Sequence, residues 1–455
     1  MPSNTAPVEN KMGTMPVVRL ILNMSLPMIF SMLIQALYNI VDSIFVAQIG
    51  EDALTAVSLA FPVQNLMISF AVGTSVGVNA MLSMKLGQRD QESVDKFAMN
   101  GVFLSFCTYA IFFVLGLTCV MPYLQSQTSS FSIVEYGREY LCIVTTLGFG
   151  VFAGTMFDRL LQSTGRTFLA MISQIVGAVI NIIFDPLLIF GIGIFPKMGI
   201  RGAALATVLG QIVGLFVSVI LNIRCNKDIH FKVKNLIPRL KIVCDIYKIG
   251  IPSILLSSIT SVITYFVNII LGRFSTTAIA VYGVYFKLNS FIFMPVFGLN
   301  NGIVPIIAYN YGAQHHKRIT NTIRAALLMA FSIMLLGAAI FELFPDRLFR
   351  LFNASDEMVE LGCNCLRRIA PSFLGAAIAI TLSSVFQAFG SAVYSMIVSF
   401  ARQLVVFLPA AYLLSLTGDV NNVWWCFIIA EFMSVLVSVS CMRNIYRKKI
   451  SVMED

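Results

Sequence analysis

Long apolar stretches recur from one end of this sequence to the other, and they restrict its fold more than any other feature. A stretch of about 20 apolar residues can cross roughly 30 Å of hydrocarbon as an α-helix. The sequence is 58% hydrophobic and only 12% charged, whereas soluble domains carry about 25% charged residues. The chain is therefore expected to be an all-α membrane protein that crosses the bilayer many times.

The apolar pattern predicts about twelve spans, with boundaries good to a few residues. The first span is too long for the core of a signal peptide and has no small-residue cleavage site, so we expect it to be retained. The predicted spans are 17–46, 54–84, 98–122, 137–162, 167–192, 200–223, 245–272, 278–309, 320–344, 360–388, 393–416 and 423–444.

The basic residues predict an orientation. Lys and Arg of membrane proteins gather in cytoplasmic loops, and here most of them fall on one side if the N-terminus is cytoplasmic. The other side keeps few, chiefly Lys197, Arg201, Arg273, Arg347 and Arg350. Both termini are therefore expected in the cytoplasm. The net charge of +9 follows from this pattern and does not indicate a nucleic-acid partner.

The longest polar, basic connection, 224–241, divides the spans into two sets of six that resemble one another. A shift of about 225 residues superposes prolines and glycines, which report shared backbone geometry. The superposed pairs include Pro27 with Pro252, Gly73 with Gly298, Gly77 with Gly302, Gly87 with Gly312 and Gly165 with Gly390. An even number of spans per repeat predicts parallel repeats, a transporter architecture.

This reading predicts five segments along the chain. A cytoplasmic N-terminal tail, an N-lobe with spans one to six, a basic cytoplasmic linker, a C-lobe with spans seven to twelve and a cytoplasmic C-terminal tail follow one another. Their predicted ranges are 1–16, 17–223, 224–244, 245–444 and 445–455.

Polar residues at one depth in three spans of the N-lobe form the candidate site. Asp42 lies about two turns from the outer end of the first span, and Asp185 lies at a similar depth in the fifth. Asn181 precedes Asp185 by four residues, so both side chains share one helix face. Thr207 reaches a similar depth in the sixth span. Ionisable groups at membrane depth are costly, which makes them functional candidates.

Two facing carboxylates in a low dielectric cannot both ionise without a partner. They hold protons, or they bind a small cation such as Na⁺, for which Asn181 and Thr207 complete an oxygen shell. Two structural alternatives stay open: Asp42 reaches interfacial water, or Asp185 caps a helix broken at the next residue. Pro186 and Pro27 are candidates for bending their helices.

Other polar residues inside the spans have more than one candidate role. Gln35 and Asn39 of the first span, Lys287 of the eighth and Glu431 of the twelfth are candidate substrate contacts or secondary polar contacts. Lys287 alternatively reaches the bilayer surface through its long side chain. Asp158, near the inner end of the fourth span, is expected to belong to a cytoplasmic rim or to pair with its neighbour Arg159.

The sequence carries no enzyme signature. It contains no G-x-x-x-x-G-K-[ST] phosphate loop, no nucleophile elbow and no metal-ligand cluster. We therefore expect no enzymatic activity, no cofactor and no need for an ATPase subunit. An ion gradient of Na⁺ or H⁺ would supply the energy.

Five stretches together resemble the multidrug and toxic compound extrusion (MATE) family, and within it the bacterial MepA-like group. They are "SLPMIFSMLIQALYNIVDSIFVAQIGEDALTAVSLAFPV", "KLGQRD", "QSTGRT", "NIIFDPLLIF" and "MGIRGAALAT". The resemblance implies a V-shaped antiporter of two six-helix lobes in the bacterial plasma membrane. It would export cationic or amphipathic drugs and dyes in exchange for Na⁺ or H⁺.

The resemblance also carries the family's N-lobe cation site to Asp42, Asn181, Asp185 and Thr207. Some members place further acids on the seventh and tenth spans, and this sequence has none in the corresponding apolar stretches. Coupling is therefore expected in the N-lobe alone.

Two rival functions stay open. A lipid-linked oligosaccharide flippase of a related fold would need basic side chains around a pyrophosphate, and the spans offer mainly Lys287 and Arg402. A passive channel or structural protein would leave the repeat and the paired acids without a purpose.

Overall fold

The computed structural model describes residues 10–352 and 355–453, and these residues fold as a chain of helices. Ten of the described helices are long and apolar enough to cross a membrane, and two bent helix pairs bring the number to twelve. The predicted spans are thus confirmed to within a few residues at most ends. Parts of the predicted tails, 1–9 and 454–455, lie outside the described residues.

The first six spans comprise seven helices, because the fourth span is bent. Residues 147–148 separate its two helices, which meet at 44°. The helices are α1 (Val17–Ala47), α2 (Glu51–Gly87), α3 (Gln91–Thr118), α4 (Phe131–Thr146), α5 (Phe149–Ser163), α6 (Thr167–Phe190) and α7 (Ile200–Cys225).

The second six spans repeat this arrangement, including the bend, which is 53° in their fourth span. The helices are α8 (Leu240–Gly272), α9 (Thr276–Gly312), α10 (His316–Leu343), α11 (Asp356–Ile369), α12 (Ser372–Ala388), α13 (Ala392–Ser415) and α14 (Trp425–Ile445). Residues 401–407 within α13 form a π-helical segment.

Backbone geometry repeats at the predicted spacing of 225 residues. Gly165 and Gly390 both have positive φ, at 85° and 69°, and only glycine adopts this region without strain. The non-glycine residues with positive φ in the described part of the chain are Arg89 (58°) and Gln314 (60°), again 225 residues apart. The sequence repeat is therefore a repeat of local structure.

The described chain divides into two compact units. Unit 1 contains Phe30–Ile254, and unit 2 combines Lys11–Ile29 with the described part of Leu255–Asp455. The predicted lobes, 17–223 and 245–444, assigned whole helices to each half. In the structure the helices α1 and α8 are each divided, and the first half of each belongs to the other repeat's unit.

Glycines of the second span in each repeat pack against these half-helices. In unit 1, Gly73 and Gly77 of α2 lie against the backbone of α8 near Ile254 and Ile246. In unit 2, Gly298 and Gly302 of α9 lie against Ile29 and Ser25. These glycines were predicted to be equivalent in two pairs, Gly73 with Gly298 and Gly77 with Gly302, and their shared role is close helix packing.

The basic connection 224–241 is attached to unit 1 at several points. The buried carboxylate of Asp95 accepts a hydrogen bond from the backbone N–H of His230 at 2.9 Å. Asn100 accepts one from the backbone of Arg239 at 2.9 Å, and Arg166 forms an ion pair with Asp228 at 2.8 Å. The predicted linker is therefore a strap held by α3 and α6.

Candidate functional site

Unit 1 brings the four predicted site residues together. Asp42 comes from α1, Asn181 and Asp185 from α6, and Thr207 from α7. The carboxyl groups of Asp42 and Asp185 lie close enough to interact with one another. Asp185 is fully buried and Asn181 is 3% exposed. Residues 143 positions apart in the chain thus form one polar cluster.

The amide of Asn181 connects the acids to the hydroxyl. Its Nδ2 lies 3.5 Å from Asp185 Oδ1 and 3.4 Å from Thr207 Oγ1. Both distances are long for hydrogen bonds. The spacing leaves the cluster loosely bonded, and a small rearrangement of these side chains costs little hydrogen-bond energy.

Three oxygen atoms of the cluster are buried and receive no hydrogen bond: Asp42 Oδ1, Asp185 Oδ2 and Asn181 Oδ1. Buried acceptors without a donor are uncommon in folded proteins because desolvation costs about 1–3 kcal/mol each. Oxygen atoms from carboxylates and an amide are the ligands of hard cations. The arrangement can therefore hold a proton or a small cation.

The local sequence keeps the α6 part of the site helical. Asp185 precedes Pro186, and the helix nevertheless continues through both to Phe190. Asp185 therefore does not cap a broken helix. Pro27 also lies inside a continuous helix, in the half of α1 that belongs to unit 2. The bending role predicted for the two prolines stays a prediction.

Tyr140 of α4 is a site residue that the sequence analysis missed. It is 2% exposed, its hydroxyl accepts a hydrogen bond from Gln64 Nε2 at 3.1 Å, and it reaches the side chain of Thr207. Asp42 and Asp185 act on it electrostatically. A tyrosine near one end of an apolar span was the available signal, because a buried tyrosine hydroxyl usually finds a partner.

The candidate contacts of the first span lie outside this cluster. The side chains of Gln35 and Asn39 are exposed. Gln35 interacts with the neighbouring Tyr38, and the carbonyl of Asn39 accepts a hydrogen bond from Ser43 at 2.8 Å. Asp42 and Asp185 act electrostatically on Tyr38, so Gln35 reaches the acid pair through that tyrosine, and the contact roles of Gln35 and Asn39 stay predictions.

The two candidates of unit 2 differ from each other. Lys287 of α9 is exposed. Glu431 of α14 accepts a hydrogen bond from Arg402 Nη1 at 2.7 Å, and the two side chains are 13% and 24% exposed. The second oxygen of Glu431 is buried without a donor. Helix-to-helix bonding, one of the two roles considered for Glu431, is therefore present.

Asp158 does not pair with Arg159 as one alternative expected. Its Oδ1 accepts hydrogen bonds from Ser173 at 2.5 Å and from Ser218 at 2.8 Å. Arg159 instead donates from Nη1 to Gln162 at 2.8 Å. Asp158 is thus enclosed between α5, α6 and α7, and not an open rim residue.

The chain matches known proteins over nearly its whole length. A profile of the MatE family matches residues 27–187 and 252–413, one segment in each repeat. The "Multidrug export protein MepA" of Staphylococcus haemolyticus (strain JCSC1435) is 26% identical over 439 residues, which cover 95% of this chain and 96% of that protein. An "FAD transporter" of Shewanella oneidensis is 26% identical over 436 residues, 94% of each chain.

Solved structures share the fold. The outward-facing conformation of a multidrug resistance MATE family transporter superposes with a TM-score of 0.91 at 24% identity, covering 99% of each chain. A transporter from Pyrococcus furiosus described as having a binding pocket of reverse polarity gives the same TM-score and identity, covering 99% of this chain and 100% of that one. The predicted fold class is confirmed.

The flippase alternative is not favoured, since the matching profile and relatives are those of efflux and cofactor transporters. The profile covers more than half of the chain and falls on both repeats. This chain belongs to the MatE family of multidrug and toxic compound extrusion transporters.

Proposed function

We propose that this protein is a secondary active exporter that exchanges cationic or amphipathic organic compounds for Na⁺ or H⁺. The contact between the carboxyl groups of Asp42 and Asp185 is the observation that carries this proposal. It joins two acids from different helices in a buried place. Asn181 and Thr207 supply the neutral oxygen atoms beside them.

Electrostatic repulsion makes the acid pair a switch. Two unit charges 4 Å apart repel by about 4 kcal/mol at an effective dielectric constant of 20. A proton or a cation between the carboxylates removes this repulsion. The occupied pair therefore draws α1 and α6 together, and the empty pair favours their separation.

Such a switch couples the gradient to transport when substrate and ion compete for the same charge. An organic cation that neutralises the pair displaces the proton or the Na⁺ ion, and the gradient refills the pair afterwards. A ligand shifts a conformational equilibrium only by its difference in affinity for the two states. The separation of α1 and α6 provides that difference.

The substrate class rests on the charge of the cluster and on the relatives. The charged groups of the cluster, Asp42 and Asp185, are both acidic, which suits organic cations. The relative from Staphylococcus haemolyticus carries the name of a multidrug export protein. We therefore propose drugs and dyes with positive charge as substrates and lipid as the surrounding partner.

The proposed location is the bacterial plasma membrane with both termini in the cytoplasm. The basic residues of 224–241 and of the C-terminal helix end, such as Arg447 and Lys448, support this orientation. Tagging each terminus and testing its access to an impermeant label on intact cells would check it.

Transport into proteoliposomes tests the proposed function. A pH gradient or a Na⁺ gradient is imposed alone, and movement of ethidium against its own gradient is measured. Asp42→Asn and Asp185→Asn should reduce gradient-driven transport to the level of empty vesicles while membrane insertion stays normal. Asp52→Asn, which changes an exposed aspartate in the first turn of α2, is the matched control.

Normal transport by both site variants would overturn the assignment of the acid pair. Transport that equilibrates ethidium but never concentrates it would identify a passive channel.

A further inference from the structure

The carboxylate of Asp158 lies between helices of unit 1, and the proposed switch does not use it. Besides Ser173 and Ser218, the side chain of Gln174 also bonds to it. Gln174 Oε1 in turn accepts a hydrogen bond from the hydroxyl of Ser31. Side chains of α1, α6 and α7 therefore surround an acid of α5.

The side chains that bond to Asp158 from the packed helices, Ser173, Gln174 and Ser218, are all neutral, and so is Ser31, which bonds to Gln174. Within the described chain, Arg159 is the charged group that acts on it electrostatically, and the hydrogen bonds to Asp158 Oδ1 come from the hydroxyl groups of Ser173 and Ser218. Asp158 is thus not locked in its charged form by a bonded cation.

Hydroxyl groups suit a carboxyl group in both of its protonation states. A serine hydroxyl donates to a carboxylate, and after rotation it accepts from a carboxylic acid. An arginine partner can only donate. Enclosure by Ser173 and Ser218 therefore satisfies Asp158 whether or not it holds a proton.

The Asp158 site and the acid pair are built on the same helix faces. Ser31 precedes Asp42 by eleven residues, Gln174 precedes Asp185 by eleven, and Ser218 follows Thr207 by eleven. Eleven residues make just over three turns, so each pair shares a face about 16 Å apart along the helix. Each of the helices α1, α6 and α7 thus carries polar residues at the same two depths.

We propose that Asp158 is a second proton-binding site of unit 1, linked to the acid pair through α1, α6 and α7. This inference rests on the proposed function for its role in transport. Each site contacts the same three helices, so a proton bound at one changes the helix arrangement that the other requires. Reciprocal linkage between two sites follows from any such shared element.

Infrared difference spectroscopy of the full-length protein in lipid tests whether Asp158 binds a proton. Each protonated carboxyl group adds a carbonyl stretching band as the pH is lowered. Asp158→Asn should remove one band that persists in Asp42→Asn and Asp185→Asn. Asp52→Asn, the exposed control, should remove a different band, one that shifts immediately in heavy water.

A second variant covers the case in which Asp158→Asn fails to fold. Ser173→Ala combined with Ser218→Ala keeps the acid but removes both hydroxyl donors. The Asp158 band should then persist and titrate at a different pH from that of the parent protein. An unchanged titration in this variant, or an unchanged spectrum in a folded Asp158→Asn, overturns the proposal.

The pH profile of drug efflux tests the linkage. Efflux by Asp158→Asn should depend less on pH than efflux by the parent, with drug affinity retained, and Asp158→Glu should restore the profile. Identical profiles for the parent and Asp158→Asn would overturn the linkage. The spectra need no transport, so failure of the acid pair as the coupling site would leave the Asp158 band intact and remain distinguishable.

Discussion

A side-chain carbon on Gly73 would lie 2.9 Å from the carbonyl oxygen of Gly250, and one on Gly250 would lie 3.1 Å from the carbonyl oxygen of Gly73. The two backbones therefore touch at the crossing of α2 and α8 within unit 1. In unit 2 the equivalent Gly298 faces the backbone of Ile29, with approaches of 2.6 and 2.7 Å.

Gly73→Ala and Gly298→Ala are expected to destabilise their units. At each site two of the three nearest obstructing atoms belong to backbone, which cannot rotate away, and overpacking costs about 1–3 kcal/mol. Gly283→Ala is the matched control, because this helical glycine has open space around it, and the change should stabilise by about 0.5–1 kcal/mol. Thermal unfolding in detergent measures all three. Equal melting temperatures for the three variants would contradict the close backbone contact at these helix crossings.

Tyr140→Phe is expected to slow gradient-driven efflux while drug affinity is retained. The change removes the hydroxyl that joins Gln64 to Thr207 beside the acid pair. Tyr109→Phe is the control, since its hydroxyl donates to the carbonyl of Thr146 at 2.6 Å within an aromatic cluster. That control should lose only about 1 kcal/mol of stability. Equal efflux rates for the two variants would exclude Tyr140 from coupling.

Glu431→Gln is expected to destabilise unit 2. It leaves the guanidinium of Arg402 without its charged partner, and breaking a buried ion pair costs about 3–5 kcal/mol. The double variant Arg402→Met with Glu431→Leu should melt near the parent temperature, because no buried charge remains. If this double variant were stable but no longer bound drug, the pair would belong to the substrate site instead.

Asp95→Ala is expected to release the strap 224–241 from unit 1. It removes the acceptor for the backbone of His230 and for Gln91 Nε2, both at 2.9 Å. Losing buried hydrogen bonds costs about 1–3 kcal/mol, so local opening should rise by a factor of about 5 to 150. Trypsin cleavage at Lys232 and Lys234 measures it.

The control for the strap is Glu92→Ala on the same helix, because that acid is exposed and forms its ion pair with Lys96 of α3. Cleavage at the same rate in Asp95→Ala and Glu92→Ala would mean that Asp95 does not hold the strap.

Local patterns predicted the spans well, and they selected two acids that the structure places near one another. The sixth span was predicted at 200–223, and the helix that forms it, α7, extends over Ile200–Cys225. Depth along the spans was sufficient to select Asp42 and Asp185 because ionisable groups are rare at that depth. A periodic apolar pattern, and an ionisable residue within an apolar span, can both be recognised from neighbouring sequence positions alone.

Features that depend on distant residues could not be read in this way. The pairing of Arg402 with Glu431 depends on how α13 and α14 are rotated about their axes relative to each other. A hydropathy profile does not report that rotation. The enclosure of Asp158 likewise depends on Ser173 and Ser218, hydroxyls that occur in most spans and carry no special signal. The division of α1 at Ile29 follows from packing against Gly298, not from any break in the helix.

The divided helices determine whether the two repeats can be produced as separate folded fragments. A gene fragment ending before residue 240 would encode a first repeat without Leu240–Ile254, and a fragment starting there would lack Lys11–Ile29. Neither product would be an autonomous folding module. Co-expression of the two pieces would therefore be needed to supply each unit with its missing half-helix.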